Sequence, residues 1–216
     1  MKRRFSGALM LLLSAFSAGA FDDGDWQFWN TDSVEYKVNE QFTMKAEVEL
    51  YFGDDMSELY YVHVQPVLAM QVSECAEIAA LYRVVQEKKK GEWAEEQRPA
   101  AEATLRGKVQ GFKISDRNRF EYRMREGDDD FWRYRNRIKI EAPWKWTAWQ
   151  VQPYVADEFF IDFDAREVNQ NRIIGGVSAK VTKELKAELY YMHKTDRKNG
   201  EWNATHVLGL ALKLGF

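Results

Sequence analysis

The sequence has very little cysteine: Cys75 is the single one in a chain of 216 residues. A lone cysteine has no partner within the chain, which excludes an intramolecular disulfide framework. No cysteine follows the small residues near position 20 either, which argues against a lipid-modified cysteine there. The excess of one charge over the other is also small, because the formal net charge is only −3. The sequence therefore gives no sign of a nucleic-acid partner.

Long apolar runs are missing after the first twenty residues. A helix that spans a bilayer needs roughly 20 consecutive apolar residues, so no spanning helix is predicted. The mean hydropathy of −0.55 would by itself suggest a water-soluble protein. That inference is unsafe, because the strands of a membrane barrel alternate apolar and polar residues that cancel in any average.

Catalytic and metal-binding motifs are missing as well. Neither G-x-S-x-G nor H-E-x-x-H occurs in the sequence. Acidic clusters at 22–25, 54–55 and 128–130 offer the oxygen ligands that calcium prefers, but not the spacing of a calcium-binding loop. We therefore predict no metal site, no cofactor and no enzymatic activity.

The start of the chain has the features of an export signal. Lys2, Arg3 and Arg4 precede an apolar stretch at 5–16, and Ala-Gly-Ala at 18–20 gives a small-residue cleavage site. The apolar stretch is too short for a membrane anchor. We predict a cleaved signal peptide at 1–20 and one mature domain at 21–216.

Alternation of apolar and polar residues dominates the mature part. It is clearest at 42–52 and again from Trp202 to Phe216, where the alternation continues without a break through Trp202, Ala204, His206, Leu208, Leu210, Leu212, Leu214 and Phe216. Such period-two patterns predict β-strands. Most segments are longer than ordinary soluble strands and suit the roughly 9–11 residues of a tilted membrane strand. About eleven segments are recognised, at 26–38, 41–52, 58–70, 77–87, 98–108, 112–124, 131–142, 148–159, 169–181, 185–194 and 201–216.

Three features favour a membrane barrel over a soluble lipocalin-like one: the export signal, a polar face rich in arginine, and aromatic residues near strand ends, where interfacial girdles belong. We predict an all-β fold, a transmembrane antiparallel up-and-down β-barrel in the bacterial outer membrane. Bacterial single-chain barrels have even strand numbers, so twelve strands are expected, with ten as the fallback. The predicted girdle residues are Trp26, Trp29, Phe52, Tyr60, Trp132, Trp144, Trp146, Trp149 and Trp202.

The connections predict the orientation of the barrel. Short links alternate with longer, strongly charged ones, as periplasmic turns alternate with extracellular loops. Two prolines within strands, Pro66 and Pro153, predict bulges, since proline cannot donate to the ladder. The short links lie at 38–40, 71–76, 109–111, 143–146 and 182–184, and the longer ones at 53–58, 87–97, 125–130, 160–169 and 194–201.

The end of the chain, Gly215-Phe216, resembles the terminal signal that the barrel assembly machinery reads in outer-membrane proteins, so Phe216 is the predicted assembly signal. The mature chain also resembles domain-of-unknown-function family 2490 of bacterial outer-membrane proteins. That resemblance implies a barrel and its location, and it brings no known activity. It is carried by WQFW at 26–29, WRYRNRIKIE at 132–141, PYVADEFFIDF at 153–163 and Asn171-Arg172.

The polar face carries the functional prediction. Arginine is expected opposite arginine on two neighbouring strands, which is destabilising unless carboxylates or a bound anion neutralise the charge. The predicted basic wall consists of Arg106, Arg117, Arg119, Arg123, Arg133, Arg135 and Arg137. The predicted acidic partners are Glu47, Glu49, Glu102, Glu121 and Glu141, with Glu158 as a further candidate.

Three functions remain open at this point. The first is a structural barrel stiffened by internal salt bridges. The second is a narrow anion-preferring channel for acidic or phosphorylated solutes. The weakest is a lipid-facing hydrolase built around His193 and His206, predicted as diagonal neighbours on the outer face near Thr195. His63 is expected to form hydrogen bonds in the lumen. The expected partners are outer-membrane lipid, lipopolysaccharide, the assembly machinery and, in a channel, a small anionic solute.

Overall fold

A computed structural model describes residues 23–89, 91–164, 166–198 and 200–216. The predicted signal peptide and the predicted mature start at Phe21 lie outside these residues. Within them the chain forms eleven β-strands: β1 Asp25–Lys37, β2 Phe42–Gly53, β3 Glu58–Ser73, β4 Ala76–Lys89, β5 Glu92–Val109, β6 Phe112–Arg125, β7 Phe131–Glu141, β8 Gln152–Asp162, β9 Glu167–Lys180, β10 Leu185–Lys198 and β11 Glu201–Gly215.

The strands follow one another around a closed barrel, and β1 pairs with β11 to close it. This closing pair is parallel, from Asp25 beside Thr205 to Glu35 beside Gly215. Strands of an up-and-down sheet alternate in direction, so the first and last of an odd number run the same way. The predicted totals of twelve and ten are therefore wrong. The alternation marks eleven segments, and the parallel closing pair lets that odd number form a closed barrel.

Alternation along each strand separates an inner face from an outer one. On β7, Phe131, Arg133 and Arg135 are buried while Trp132 and Ile138 are exposed. The same contrast recurs around the barrel, so that large apolar side chains cover the outside and charged side chains fill the inside. Among the described residues, no helix has the length and apolarity needed to cross a membrane.

The two ends of the barrel are named by the chain termini. The C-terminal rim holds Phe216 and the connections 38–41, 74–75, 110–111, 142–151 and 181–184. The N-terminal rim holds the start of β1 and the connections 54–57 and 126–130. The backbone of Phe216 pairs with β1: its N–H donates to the Glu35 carbonyl at 2.9 Å, and its carbonyl accepts from Lys37 at 3.0 Å.

The expected contrast between short turns and long charged loops is not found. β4 ends at Lys89 and β5 begins at Glu92, so most of the predicted loop 87–97 is strand. The longest described connection, 142–151, lies at the rim predicted to carry only short turns. Charged residues in these hairpins pair across strands, as Lys88 does with Glu58 at 2.5 Å. The ends of these strands carry charged residues and no apolar alternation. The alternation therefore predicted strands that are shorter than the observed ones.

The prediction of bulges at Pro66 and Pro153 is also wrong. Irregular registers occur at Tyr51/Phe52, Gln71/Ser73 and Phe160/Ile161 instead. Around Pro66 the β3–β4 register is unchanged on both sides, and only the pairing of the residues in between is interrupted. Pro153 is the second residue of β8, close to the strand start where a missing N–H is tolerated.

Candidate functional site: the charged lumen

The charged lumen is the candidate site. Its cavity has a volume of about 1970 Å³, and side chains from all eleven strands line it. Every residue of the predicted basic wall lies on the inner face, and so do the predicted acidic partners. Glu121 is packed behind the lining with only 1% of its surface exposed, and the others border the cavity itself.

Arginines face one another between β6 and β7. Arg117 is paired with Arg137 and Arg119 with Arg135, and Glu121 follows opposite Arg133. This is the like-charge ladder predicted from the alternation. It is stable only if carboxylates lie close by, because like charges directly opposite repel. Two buried glutamates supply that neutralisation.

Glu121 neutralises the part of the ladder nearer the N-terminal rim. Arg133 donates to it at 2.6 Å and 2.9 Å, and Arg135 donates at 2.9 Å. The Arg119 guanidinium lies 3.7 Å away. One buried carboxylate thus contacts three guanidinium groups, and the charge-assisted hydrogen bonds from Arg133 and Arg135 are strong.

Glu158, on β8, neutralises the next level and is 1% exposed. It accepts hydrogen bonds from Arg117 at 2.6 Å, Arg135 at 2.9 Å and Arg172 at 3.3 Å. Because Arg135 bridges Glu158 and Glu121, the two levels form one network. Glu158 was recognised only as a candidate from the sequence, and Arg172 was not assigned to the lumen at all.

Further ion pairs extend the network to both sides. Glu96 on β5 accepts from Arg98 at 2.8 Å and from Arg123 at 2.7 Å. Glu102, also on β5, pairs with Arg119 at 2.6 Å. Toward the C-terminal rim, Glu188 on β10 is surrounded by three lysines, Lys139 at 3.4 Å, Lys186 at 3.2 Å and Lys213 at 3.0 Å. Glu96, Arg98 and Glu188 were not predicted as lumen residues, although all three occupy inward positions of the same alternation.

Aromatic rings fill the lumen beside the network. Trp29 stacks on Tyr51 with ring centroids 3.7 Å apart, and Tyr51 stacks on Tyr61 at 4.4 Å. The Arg172 guanidinium lies over the Trp29 ring at 4.9 Å, which adds a cation–π contact. Trp29 was predicted in an interfacial girdle and is instead buried inside.

Tyr60 was also predicted in a girdle, and it too lies inside. The irregular register between Tyr51 and Phe52 places Tyr61 opposite Tyr51 but Leu59 opposite Phe52. Tyr60 is therefore the extra residue of a bulge, which turns its side chain inward. Its hydroxyl donates to Gln27 at 2.9 Å. Of the other girdle residues, the tryptophans at 26, 132, 144, 146, 149 and 202 are exposed near the rims.

Arg137 differs from the other arginines of the ladder. It lines the cavity and is partly exposed. Within the part of the chain that the structure describes, it makes no hydrogen bond and no ion pair within 4 Å. Its charge is therefore directed at the solvent of the cavity, whereas Arg133 and Arg135 are held by carboxylates.

His63 lies in the lumen as predicted and is buried, 1% exposed. Its Nε2 is 3.4 Å from Glu47 and its Nδ1 is 3.5 Å from Glu49. Gln65 beside it donates to Glu47 at 3.3 Å and accepts from Arg83 at 2.8 Å. The strand pairing of Glu49 with His63 brings these groups together.

The outer face carries the second histidine cluster. His193 and His206 are direct cross-strand partners rather than the diagonal neighbours predicted, with ring centroids 5.6 Å apart. Tyr191 shares a 2.7 Å hydrogen bond with Nδ1 of His206, and Trp26 stacks on His206 at 5.0 Å. The arrangement is that of amphipathic rings packed together on the outside of the wall.

A small polar patch interrupts the apolar outer face on β6 to β9. Asp116 accepts from Asn118 at 3.2 Å and from Asn136 at 2.6 Å. Asp157 accepts from Asn171 at 2.8 Å. The predicted alternation did not include this patch, whose polar groups partly satisfy one another.

Comparison with known proteins identifies a family. A family model described as "Protein of unknown function (DUF2490)" matches residues 26–205, which is most of the barrel. A search of curated proteins finds no match to the chain.

Proposed function

Since the chain belongs to the DUF2490 family of proteins of unknown function, we propose its role from the geometry of the barrel: it is a structural outer-membrane β-barrel whose lumen is closed at mid-height by an ion-paired network. The observation that carries the proposal is the inverted distribution of polarity. The buried interior contains charged groups, while large apolar side chains are exposed all around the outside.

The outer face supports the membrane environment. Met44, Val155, Ile173 and Leu189, on four different strands, are each more than half exposed. Soluble monomers rarely expose contiguous apolar patches of more than a few hundred Å², and an apolar outer face interrupted by the polar patch on β6 to β9 still exceeds that. Exposed tryptophans at both rims suit the two interfaces of a bilayer. In this proposal the apolar outer face contacts lipid and lipopolysaccharide, and Phe216 is read by the assembly machinery.

We expect the mature protein in the outer-membrane fraction and, on gels, a faster band before boiling than after, since closed membrane barrels resist unfolding by detergent. Cell fractionation with heat-modifiability gels measures both. Recovery as a soluble periplasmic protein without a heat-modifiable band would contradict membrane insertion and favour a lipocalin-like barrel.

The proposed closure of the lumen rests on the ion-paired network. Glu121 and Glu158 sit at successive levels of the β6–β8 wall, and the five arginines they contact fill the space in front of it. On the opposite side the stacked rings of Trp29, Tyr51 and Tyr61 occupy the same interior. In this proposal the ring of paired charges and packed aromatic side chains narrows the lumen at mid-height, and it stiffens the wall against collapse.

An anion-preferring channel is the second candidate, and Arg137 favours it. Its guanidinium makes no hydrogen bond and no ion pair within 4 Å among the described residues, although Glu158 is its cross-strand partner on β8, and it borders the cavity. A basic group facing water raises the local concentration of anions. Acidic or phosphorylated solutes would be the substrates of such a path.

Single-channel recording in planar bilayers separates the two functions. We expect no steady conductance from the wild-type barrel and none from Arg137→Gln, because the paired network blocks the lumen in both. Arg166→Gln, which removes an exposed arginine from the connection 163–166, controls for the change of charge. A steady anion-selective current that falls in Arg137→Gln but not in Arg166→Gln would overturn the structural proposal and establish the channel.

A further inference from the structure

Three side chains with metal-binding atoms meet on the inner face of β2 and β3: Glu47, Glu49 and His63. One ligand atom from each lies within 4.8 Å of the other two. The His63 side chain is fully buried, whereas 27% of the Glu47 side chain and 16% of the Glu49 side chain remain exposed. The carboxylates border the cavity, so a solute in the lumen can reach them.

The hydrogen bonding of His63 is incomplete. Nε2 faces Glu47, and Nδ1 faces Glu49 but is buried without a hydrogen-bond partner. A neutral imidazole carries a proton on only one ring nitrogen. With that proton on Nε2, the lone pair of Nδ1 points at a carboxylate, and two acceptors repel each other. A cation between the two groups removes the repulsion, and it is either a second proton or a metal ion.

The distances favour a metal ion. The two nitrogen–oxygen separations, 3.4 Å and 3.5 Å, are longer than the roughly 2.7–3.2 Å of a well-formed hydrogen bond. An ion binds only one of the two ring nitrogens. The 3.5 Å between Nδ1 and Glu49 is close to the separation of about 3.3–3.4 Å between two ligands of a tetrahedral ion with metal–ligand bonds of about 2.0–2.1 Å. One ligand atom from each of the three residues lies within 4.8 Å of the other two, so a small movement of Glu47 completes the set. Two carboxylates and one imidazole are also a donor set that zinc accepts.

Neighbouring side chains orient the ligands. Gln65 donates to Glu47 at 3.3 Å, Thr31 donates to Glu49 at 3.4 Å, and the Tyr51 hydroxyl also donates to Glu49. Such supporting hydrogen bonds are usual around metal ligands. Arg83 lies 3.8 Å from Glu47 and balances one of the two carboxylates, which leaves a net negative charge for a cation.

We propose that Glu47, Glu49 and His63 form a binding site for a divalent transition-metal ion, Zn²⁺ in particular, with a fourth coordination position open to the cavity. The site goes beyond the structural role proposed above and does not depend on whether the lumen conducts. No metal site was predicted from the sequence, because the three ligands follow no sequence motif.

Binding of Zn²⁺ and Co²⁺ to the full barrel tests the proposal. The protein is folded in detergent without a histidine tag and titrated by calorimetry and by the visible absorption of Co²⁺. We expect one ion per barrel with a tetrahedral cobalt spectrum, and at least a 100-fold loss of affinity in His63→Gln and in Glu49→Gln. The matched control is the double variant His193→Gln/His206→Gln, which removes the outer histidines and should keep the affinity.

Two outcomes overturn the proposal. One is the absence of binding by the wild-type barrel; the other is binding that the outer-face variant loses and His63→Gln keeps. Nitrogen NMR of His63 in the wild-type protein covers the case in which the variants do not fold. A ring protonated on both nitrogens, and unchanged by Zn²⁺, would show that a proton occupies the position assigned to the metal.

Discussion

Replacing Glu121 with glutamine is expected to lower the free energy of unfolding by about 3–5 kcal/mol, the usual cost of removing one partner from a buried ion pair. The glutamine keeps the shape of the side chain but not its charge. Arg133 and Arg135 then remain buried with their shared carboxylate gone. Urea or guanidinium unfolding of the barrel in detergent or vesicles measures the loss.

Matched variants show whether the network causes that loss. Glu40→Gln makes the same chemical change at an exposed residue of the connection 38–41 and should leave the stability within about 0.5 kcal/mol. Arg135→Gln should destabilise because it removes the bridge between Glu121 and Glu158, whereas Arg137→Gln should not. If Glu121→Gln were as stable as Glu40→Gln, water or a bound anion rather than Glu121 would be neutralising the arginines.

The second large effect is expected at two glycines on either side of Tyr190. Gly176 on β9 and Gly209 on β11 are its direct cross-strand partners. A Cβ at Gly209 would lie 1.9 Å from the Tyr190 ring, and one at Gly176 would lie 2.7 Å from the Leu189 carbonyl oxygen. Overpacking of this kind costs about 1–3 kcal/mol, so each glycine-to-alanine variant should unfold at a lower denaturant concentration.

A second substitution at Tyr190 distinguishes the two sites. Tyr190→Ala removes the ring that blocks Gly209→Ala and should restore much of the lost stability relative to Tyr190→Ala alone. It should not rescue Gly176→Ala, whose obstacles include backbone and the Cβ of residue 190. Gly175→Ala, with nothing within 4 Å of the added Cβ, is the neutral control. Equal stability of Gly175→Ala and Gly209→Ala would mean that the ring does not lie over the glycine.

Much of this barrel can be predicted from the sequence, because a two-residue period assigns each side chain to one face. That period alone placed the arginines of β6 and β7 inside and the alternating leucines of β11 outside. It also located all eleven segments. The odd strand number could not be accepted from the sequence, because nothing local in β1 or β11 reveals that the two strands pair in parallel.

The remaining errors come from features that depend on contacts between strands. Tyr60 faces inward because one extra residue interrupts the β2–β3 register, and no local pattern marks that residue. Trp29 is buried because Tyr51 stacks on its ring and the Arg172 guanidinium lies over it. The cluster of Glu47, Glu49 and His63 likewise requires a register that places Glu49 opposite His63. Sequence periodicity gives the face of a residue but not its neighbours.

The parallel seam between β1 and β11 decides where fused segments would emerge. In an up-and-down barrel with an even number of strands, both chain ends lie at the same rim. Here β1 starts at one rim and β11 ends at the other. In a bilayer the two ends of this barrel therefore open into different compartments. If the barrel spans the outer membrane as proposed, a tag placed before Asp25 and a tag placed after Phe216 would be reached by antibody from opposite sides.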